Sequence, residues 1–240
     1  MSDANEKTED PTAKKTTDSR KKGQIARSKE LSTALVLVFS AAAFIMMGGQ
    51  IAKAIYIVSQ RMFTLSRDET YDFTHMFQAW GYAIEAVSTP VMLYMVIITA
   101  AGIYGNIALG GYNFTWQGAA PKASKLNPIA GIKRMFGMNG LVELLKAIAK
   151  VFVIMGMAYV AMLVFKDEAL HLDLELYPQN LFHAMDLISW AFLMLCCALI
   201  PIAAIDVPYQ SYKHNKEMKM SKQEVKDENK NAEGDPQVKN

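Results

Sequence analysis

Long apolar blocks alternate with strongly polar ones along this chain of 240 residues. Four of the blocks, roughly residues 31–58, 87–109, 144–165 and 187–205, reach or approach the ~20 residues needed to cross the hydrocarbon of a bilayer. Runs such as VFVIMGMAYVAMLVF have no polar face to show water, which sets them apart from the core helices of a soluble protein. The expected fold class is therefore all-α: four transmembrane helices with a long loop between the second and third. On this pattern the chain divides into a basic arm (1–30), a first transmembrane helix with its extension (31–58), a connection (59–86), a second transmembrane helix (87–109), a central loop (110–143), a third transmembrane helix (144–165), a connection (166–186), a fourth transmembrane helix (187–205) and a polar helical linker (206–240).

Local chemistry refines these elements. Gly48-Gly49-Gln50 weakens the first span, and the following stretch to Phe63 is amphipathic, with Ile51, Ile55, Val58 and Met62 on one side. Tyr71, Phe73, Phe77, Trp80 and Tyr82 crowd the approach to the second span, as an interfacial aromatic belt would. Ala101 and Gly105 form a small-xxx-small pair that lets another helix come close. Pro90 falls within the second span, and Pro201 is expected to kink or interrupt the fourth. In the tail, Ser221 and Glu224 have capping-box spacing, and Lys222, Lys226 and Lys230 recur every fourth residue. Gly234-Asp235-Pro236 stops that pattern.

Net charge is only +2, so its distribution says more than its sum. The first 30 residues carry eight Lys and Arg, the central loop four and the tail after Asp206 seven. The other two connections hold only Arg61 and Arg67, and Lys166 beside Asp167, Glu168, Asp173 and Glu175. The positive-inside rule then places both termini and the central loop in the cytoplasm. The first dozen residues are expected to be mobile and the rest of the arm to form a basic helix, attractive to anionic lipid headgroups at about 1 kcal/mol per charge. VFSAAA (38–43) resembles a signal-peptidase site, but the long polar lead and the apolar run that continues beyond it favour an uncleaved span.

Catalytic chemistry is not suggested. His75, His171, His183 and His214 are scattered, and His171, Asp173 and Glu175 would share a face only on a strand. No P-loop, dinucleotide fingerprint or nucleophile elbow is present. Adjacent Cys196 and Cys197 cannot adopt disulfide geometry with each other without distortion and read as small core residues. No enzyme activity, metal, cofactor or nucleic-acid partner is expected.

Charges beside the spans carry more information. Glu143, Lys146 and Lys150 form one helical stripe, with Leu141, Leu144, Leu145, Ile148 and Phe152 covering the opposite side. Only fifteen apolar residues follow Lys150, too few to cross alone. Both lysines therefore sit at interface level, where they either snorkel to water or meet acidic or carbonyl groups of another subunit. Asp206, at the end of the fourth block, and Asp186, near its start, are at similar depth. In the central loop, Lys125, Asn127, Pro128, Gly131, Lys133, Arg134 and Phe136 combine turn chemistry, paired cations and an aromatic between two spans. They are the candidate partner-binding residues.

Six segments, EKTEDPT (6–12), KKGQIARSKEL (21–31), KLNPIAGIKRMF (125–136), LVELLKAIAK (141–150), KMSKQEVKDE (219–228) and EGDP (233–236), together resemble the flagellar type III export-apparatus switch proteins, the FlhB family. They follow that family's order from end to end of the chain. The resemblance implies a four-span inner-membrane domain with cytoplasmic termini, working with the other membrane subunits of the flagellar export gate and with exported flagellar proteins in transit. It further implies that the central loop wraps the cytoplasmic entrance of the gate and that a linker leads to a self-cleaving domain which switches substrate class. That domain's Asn-Pro-Thr-His motif is absent: the one Asn-Pro, Asn127-Pro128, continues Ile-Ala. The chain thus looks like membrane domain and linker, without the self-cleaving part. A virulence-secretion relative and an independent channel or transporter subunit are the alternatives. The Pro-Lys-x-Ser-Lys-Leu-Asn-Pro form of the loop (121–128) favours the flagellar branch, and no inverted repeat supports the transporter.

Overall fold

A computed structural model describes residues 7–113, 115 and 137–233. In chain order the described elements are β1 (Lys7–Glu9), α1 (Ala13–Lys21), α2 (Lys29–Phe63), α3 (Arg67–Tyr71), α4 (Phe73–Ile107), α5 (Met138–His171), α6 (Gln179–Cys197), α7 (Ile200–Met218), β2 (Met220–Ser221) and α8 (Lys222–Glu233). Among the described residues the protein is all-α apart from one two-stranded ribbon, and four helical stretches are long and apolar enough to cross a membrane: α2, α4, α5 and the stretch Gln179–Met218. The chain divides into two compact units.

The larger unit holds residues 29–105 and 134–204. Its main seam joins α2 to α6, and α5 packs on α6. The buried face of α2 is built from small residues, including Ala34, Ser40, Ala41, Ala43, Gly48 and Ala52. That is how helices associate where lipid removes the usual hydrophobic drive and close backbone approach must supply the attraction. Gly48, expected to weaken the first span, lies inside an unbroken α2. A Cβ built on Gly48 would lie 3.3 Å from Ser189 Oγ, so the glycine serves contact with α6 rather than a helix end. Ala34, Leu199 and Ala203 form a buried cluster with Leu37, Ile154 and Ile202 against it.

Small residues also govern the α2–α4 approach. Ser32 Oγ donates to Gly105 O at 2.8 Å, Ser40 and Tyr94 share a short hydroxyl–hydroxyl bond, and Phe44 meets Tyr94 edge-on. Pro90 is accommodated inside α4, whereas the interruption expected at Pro201 is real: α6 ends at Cys197 and α7 starts at Ile200. Proline lacks an N–H and its ring clashes with the carbonyl four residues back, so it suits the first turn of a new helix. Between the helices the chain tightens, with Ala198 N–H bonding to Leu195 O and Leu199 N–H to Cys196 O. At the opposite end of α2, Ser66 and Glu69 cap α3 reciprocally and Arg61 pairs with Glu69 at 3.1 Å. Ser66 N–H, and then the Arg61 charge, hold the Glu69 carboxyl below its usual range.

The smaller unit holds residues 1–28, 106–133 and 205–240, as far as they are described. The expected basic helix is α1, but Lys7–Glu9, in the stretch expected to be mobile, form a strand antiparallel to Met220–Ser221. Thr12 caps α1: its Oγ accepts from Lys15 N–H at 3.2 Å while donating to Glu228 Oε2 at 2.5 Å. The capping box at the start of α8 forms as spaced, with Glu224 N–H to Ser221 Oγ at 3.1 Å and Ser221 N–H to Glu224 Oε2 at 3.3 Å.

Candidate functional site

The seven candidate loop residues, Lys125, Asn127, Pro128, Gly131, Lys133, Arg134 and Phe136, lie outside the described residues. The interface-level charges, Lys146, Lys150 and Asp206, are described. Asp206 belongs to the smaller unit and both lysines to the larger.

Lys150 projects from α5 onto the first turn of α2. Its Nζ lies 2.9 Å from Glu30 Oε1 and 2.7 Å from Glu30 Oε2, so one ammonium engages both carboxylate oxygens. The Glu30 side chain is only 16% exposed, which makes the pair a semi-buried one rather than a surface bridge. Lys146, one turn earlier, reaches Glu143 on its own helix at 3.3 Å. The polar stripe of α5 thus turns toward the protein's own charges, and Leu141, Leu144, Leu145, Ile148 and Phe152 are exposed. In water that arrangement would be inverted. At a membrane it is the favourable one, because lipid or partner helices solvate apolar side chains while charges need internal partners.

Asp206 is 3% exposed and accepts from Ser28 Oγ at 2.6 Å, with Gln210 Nε2 donating to its other oxygen at 3.3 Å. Ser28 is itself buried, so this part of the arm is fixed to α7 by a hydrogen bond out of water. At the far end of the arm, Lys15 Nζ lies 3.5 Å from Glu224 Oε2. Ser221 N–H, and then the charges of Lys15 and Lys7, hold the Glu224 carboxyl below its usual range against a smaller opposing effect of burial. Strand, cap and ion pair therefore tie residues 7–15 to β2 and to the last helix described. Arg20 O accepts from Asn113 Nδ2 at 2.7 Å, and Gly110 packs so closely on Ala26 O that a Cβ there would lie 2.6 Å away.

Sequence reasoning missed Glu30, Ser28 and Thr12. Glu30 left a signal: it is the one acid at the point where a basic arm enters a span, and Lys150 is the deepest cation of the third span. On the other side of the larger unit, Glu175 does not pair with His171. It accepts His183 Nδ1 at 2.6 Å, while His183 Nε2 meets Glu168 Oε1 at 3.1 Å. The helix ends at His171 and a tight turn over Leu172–Leu174 carries Glu175 away.

Comparison with known proteins supplies what geometry alone does not. The family model described as FlhB HrpN YscU SpaS matches residues 5–240. The chain belongs to this family. It is similar to the flagellar biosynthetic protein FlhB of Bacillus subtilis, 32% identical over 236 residues that cover 98% of this chain and 66% of that protein. It is likewise similar to FlhB of Escherichia coli, at 30% identity with 100% of this chain and 63% of that protein covered. Yop proteins translocation protein U of Yersinia pestis is 32% identical over 98% of this chain and 66% of its own length. This FlhB-family chain thus spans somewhat under two thirds of the length of these relatives.

Proposed function

We propose that this chain is an inner-membrane subunit of the flagellar type III protein export gate. The observation that carries the reading is the family match over residues 5–240 on a chain with four membrane-length helices. Relatives of equal identity are named for flagellar biosynthesis and for Yop translocation, so overall identity does not separate the branches. The Pro121–Pro128 form of the central loop favours the flagellar one. In this reading both termini and the central loop are cytoplasmic, the loop closes round the pore entrance, and exported flagellar proteins pass through the assembly. Lys125, Asn127, Pro128, Gly131, Lys133, Arg134 and Phe136 carry the loop's contacts with the other gate subunits. The basic arm meets anionic headgroups, and α8 is the linker toward a substrate-specificity switch domain.

The nearly unburied windows of α4 and α5 suit helices that pack on partner subunits rather than on one another. Deleting the gene in its own organism and restoring it with Gly131→Leu or Phe136→Ala tests the assignment. Motility and co-purification of the gate are expected to fall together. Unchanged swimming and assembly would sink the loop assignment, and intact swimming in the deletion strain would sink the flagellar one.

A further inference from the structure

The turn between the third and fourth membrane-length stretches, residues 172–178, gains little from apolar burial: Leu174 is 75% exposed and Leu176 82%. A ring contact ties it to α2, where Tyr56 meets Tyr177 at 5.4 Å. His183, early in α6, joins the turn to the helices on either side of it. Its Nδ1 lies 2.6 Å from Glu175 Oε1, just past the tight Leu172–Leu174 stretch, and its Nε2 lies 3.1 Å from Glu168 Oε1, near the end of α5. An ionised carboxylate only accepts hydrogen bonds, so each ring nitrogen must donate to make its contact. Neutral imidazole has one N–H and imidazolium has two. The arrangement with both contacts made therefore belongs to the protonated ring, and losing the proton removes one bond and both charge attractions. A metal ion is not the alternative occupant, since no cluster of three His, Cys, Asp or Glu among the described residues could hold one.

The other charges of the packed elements point elsewhere. On α5, Asp167 is exposed beside Lys166, and its carbonyl meets His171 Nδ1. His171, Asp173 of the turn and Asp186 of α6 are exposed. The α2 helix meets α6 through Gly48, against Ser189 and Met185, and its cation in this half, Lys53, is exposed. Glu175, and then Glu168, favour the charged ring and hold its protonation above the usual histidine range, against a smaller opposing effect of burial. We propose that His183 is a proton-operated latch: protonated, it staples the turn to both α5 and α6; neutral, it frees the turn and lets this end of the α5–α6 hairpin open. Leu174 and Leu176 are then presented in fixed positions only in the protonated state. The stabilisation is fully present below the unfolded value of 6.5 and is lost as pH rises through the higher, folded one.

A nitroxide on Leu176→Cys, in the whole chain carrying Cys196→Ala and Cys197→Ala, reports the turn's mobility in detergent. Its spectrum is expected to pass from an immobilised to a mobile line shape as pH rises from about 5.5 to about 9, either side of the histidine range. His183→Gln, with no charge to lose, should be mobile throughout. His183→Arg, whose guanidinium stays charged and offers donors to both carboxylates, should be immobilised throughout. His171→Gln removes the neighbouring imidazole and should leave the transition in place. A transition that persists in His183→Gln or vanishes in His171→Gln would overturn the latch, as would a line shape that pH does not change. Carbon-13 NMR of the histidines, in the chain with its native cysteines, gives a second readout if the labelled protein does not fold. The His183 signal, identified by its loss in His183→Gln, should titrate above 6.5 and move down in Glu175→Gln. A midpoint at or below 6.5, or one that Glu175→Gln leaves unchanged, counts against the latch.

Discussion

Lys150 Nζ lies 2.7 Å from Glu30 Oε2, joining the third membrane-length helix to the first turn of the first. Sequence alone left this lysine either snorkelling to water or pairing with another subunit. The structure gives it a carboxylate of its own chain. The pair also explains the otherwise isolated acid at the end of a basic arm. Glu30→Gln or Lys150→Ala would strand one charge in a semi-buried position, at a cost of about 1–3 kcal/mol. The exchanged pair Glu30→Lys with Lys150→Glu should recover part of that loss. Thermal unfolding of the four proteins in the same detergent measures it; additive losses in the exchanged pair would contradict a direct interaction.

Gly105 is predicted to be the least substitutable glycine of the α2–α4 contact. A Cβ there would meet Ser32 Cα at 3.1 Å and Ser32 O at 3.3 Å, and backbone cannot move aside as a side chain can. Gly105→Leu should part the helices, break the bond from Ser32 Oγ and destabilise the protein by about 1–3 kcal/mol. Gly102→Ala, facing only Val36 Cγ2 at 3.9 Å, should be close to neutral. Unfolding midpoints of the two variants decide between them.

The bond from Ser28 to Asp206 predicts that residue 28 is held to the chain at residue 206. Asp206→Ala leaves two buried or half-buried donors without that carboxylate, a loss of about 1–3 kcal/mol. Limited proteolysis should then cut between Lys21 and Lys29 faster than in the parent protein. An unchanged cutting rate would show that this contact does not hold the arm.

The contact between α1 and α8 should weaken in acid. The folded state holds the Glu224 carboxyl below its unfolded value of 4.5, so the stabilisation it gives is present above that value. It is lost as pH falls through the lower, folded value, because protonation removes the charge that Ser221 N–H, Lys15 and Lys7 favour. Spin labels at positions 9 and 223 should show a growing long-distance population as pH falls from 6 to below about 4. Glu224→Gln should show that population at both pH values and little dependence on pH.

Much of this architecture was legible because bilayer thickness imposes a length on apolar blocks and a capping box imposes a spacing on Ser221 and Glu224. Pro201 announced the break before α7 for a covalent reason. Gly48 misled, since an isolated sequence does not say whether a glycine ends a helix or admits a neighbour. The strand at Lys7–Glu9 was invisible because three residues carry no period and their partner is more than 200 positions away. Glu30 and Ser28 were missed for the same reason: they act through distant residues, and no local pattern names a distant partner. The candidate loop was legible only as turn chemistry and resemblance.

The most direct test of the central proposal is purification of the tagged full chain from membranes of its own organism, followed by mass spectrometry of the intact complex. The account predicts a stable assembly with the other membrane proteins of that organism's flagellar export gate, weakened by Gly131→Leu or Phe136→Ala while the chain itself still inserts. Recovery of the chain without those proteins, in membranes where the gate is assembled, would contradict it.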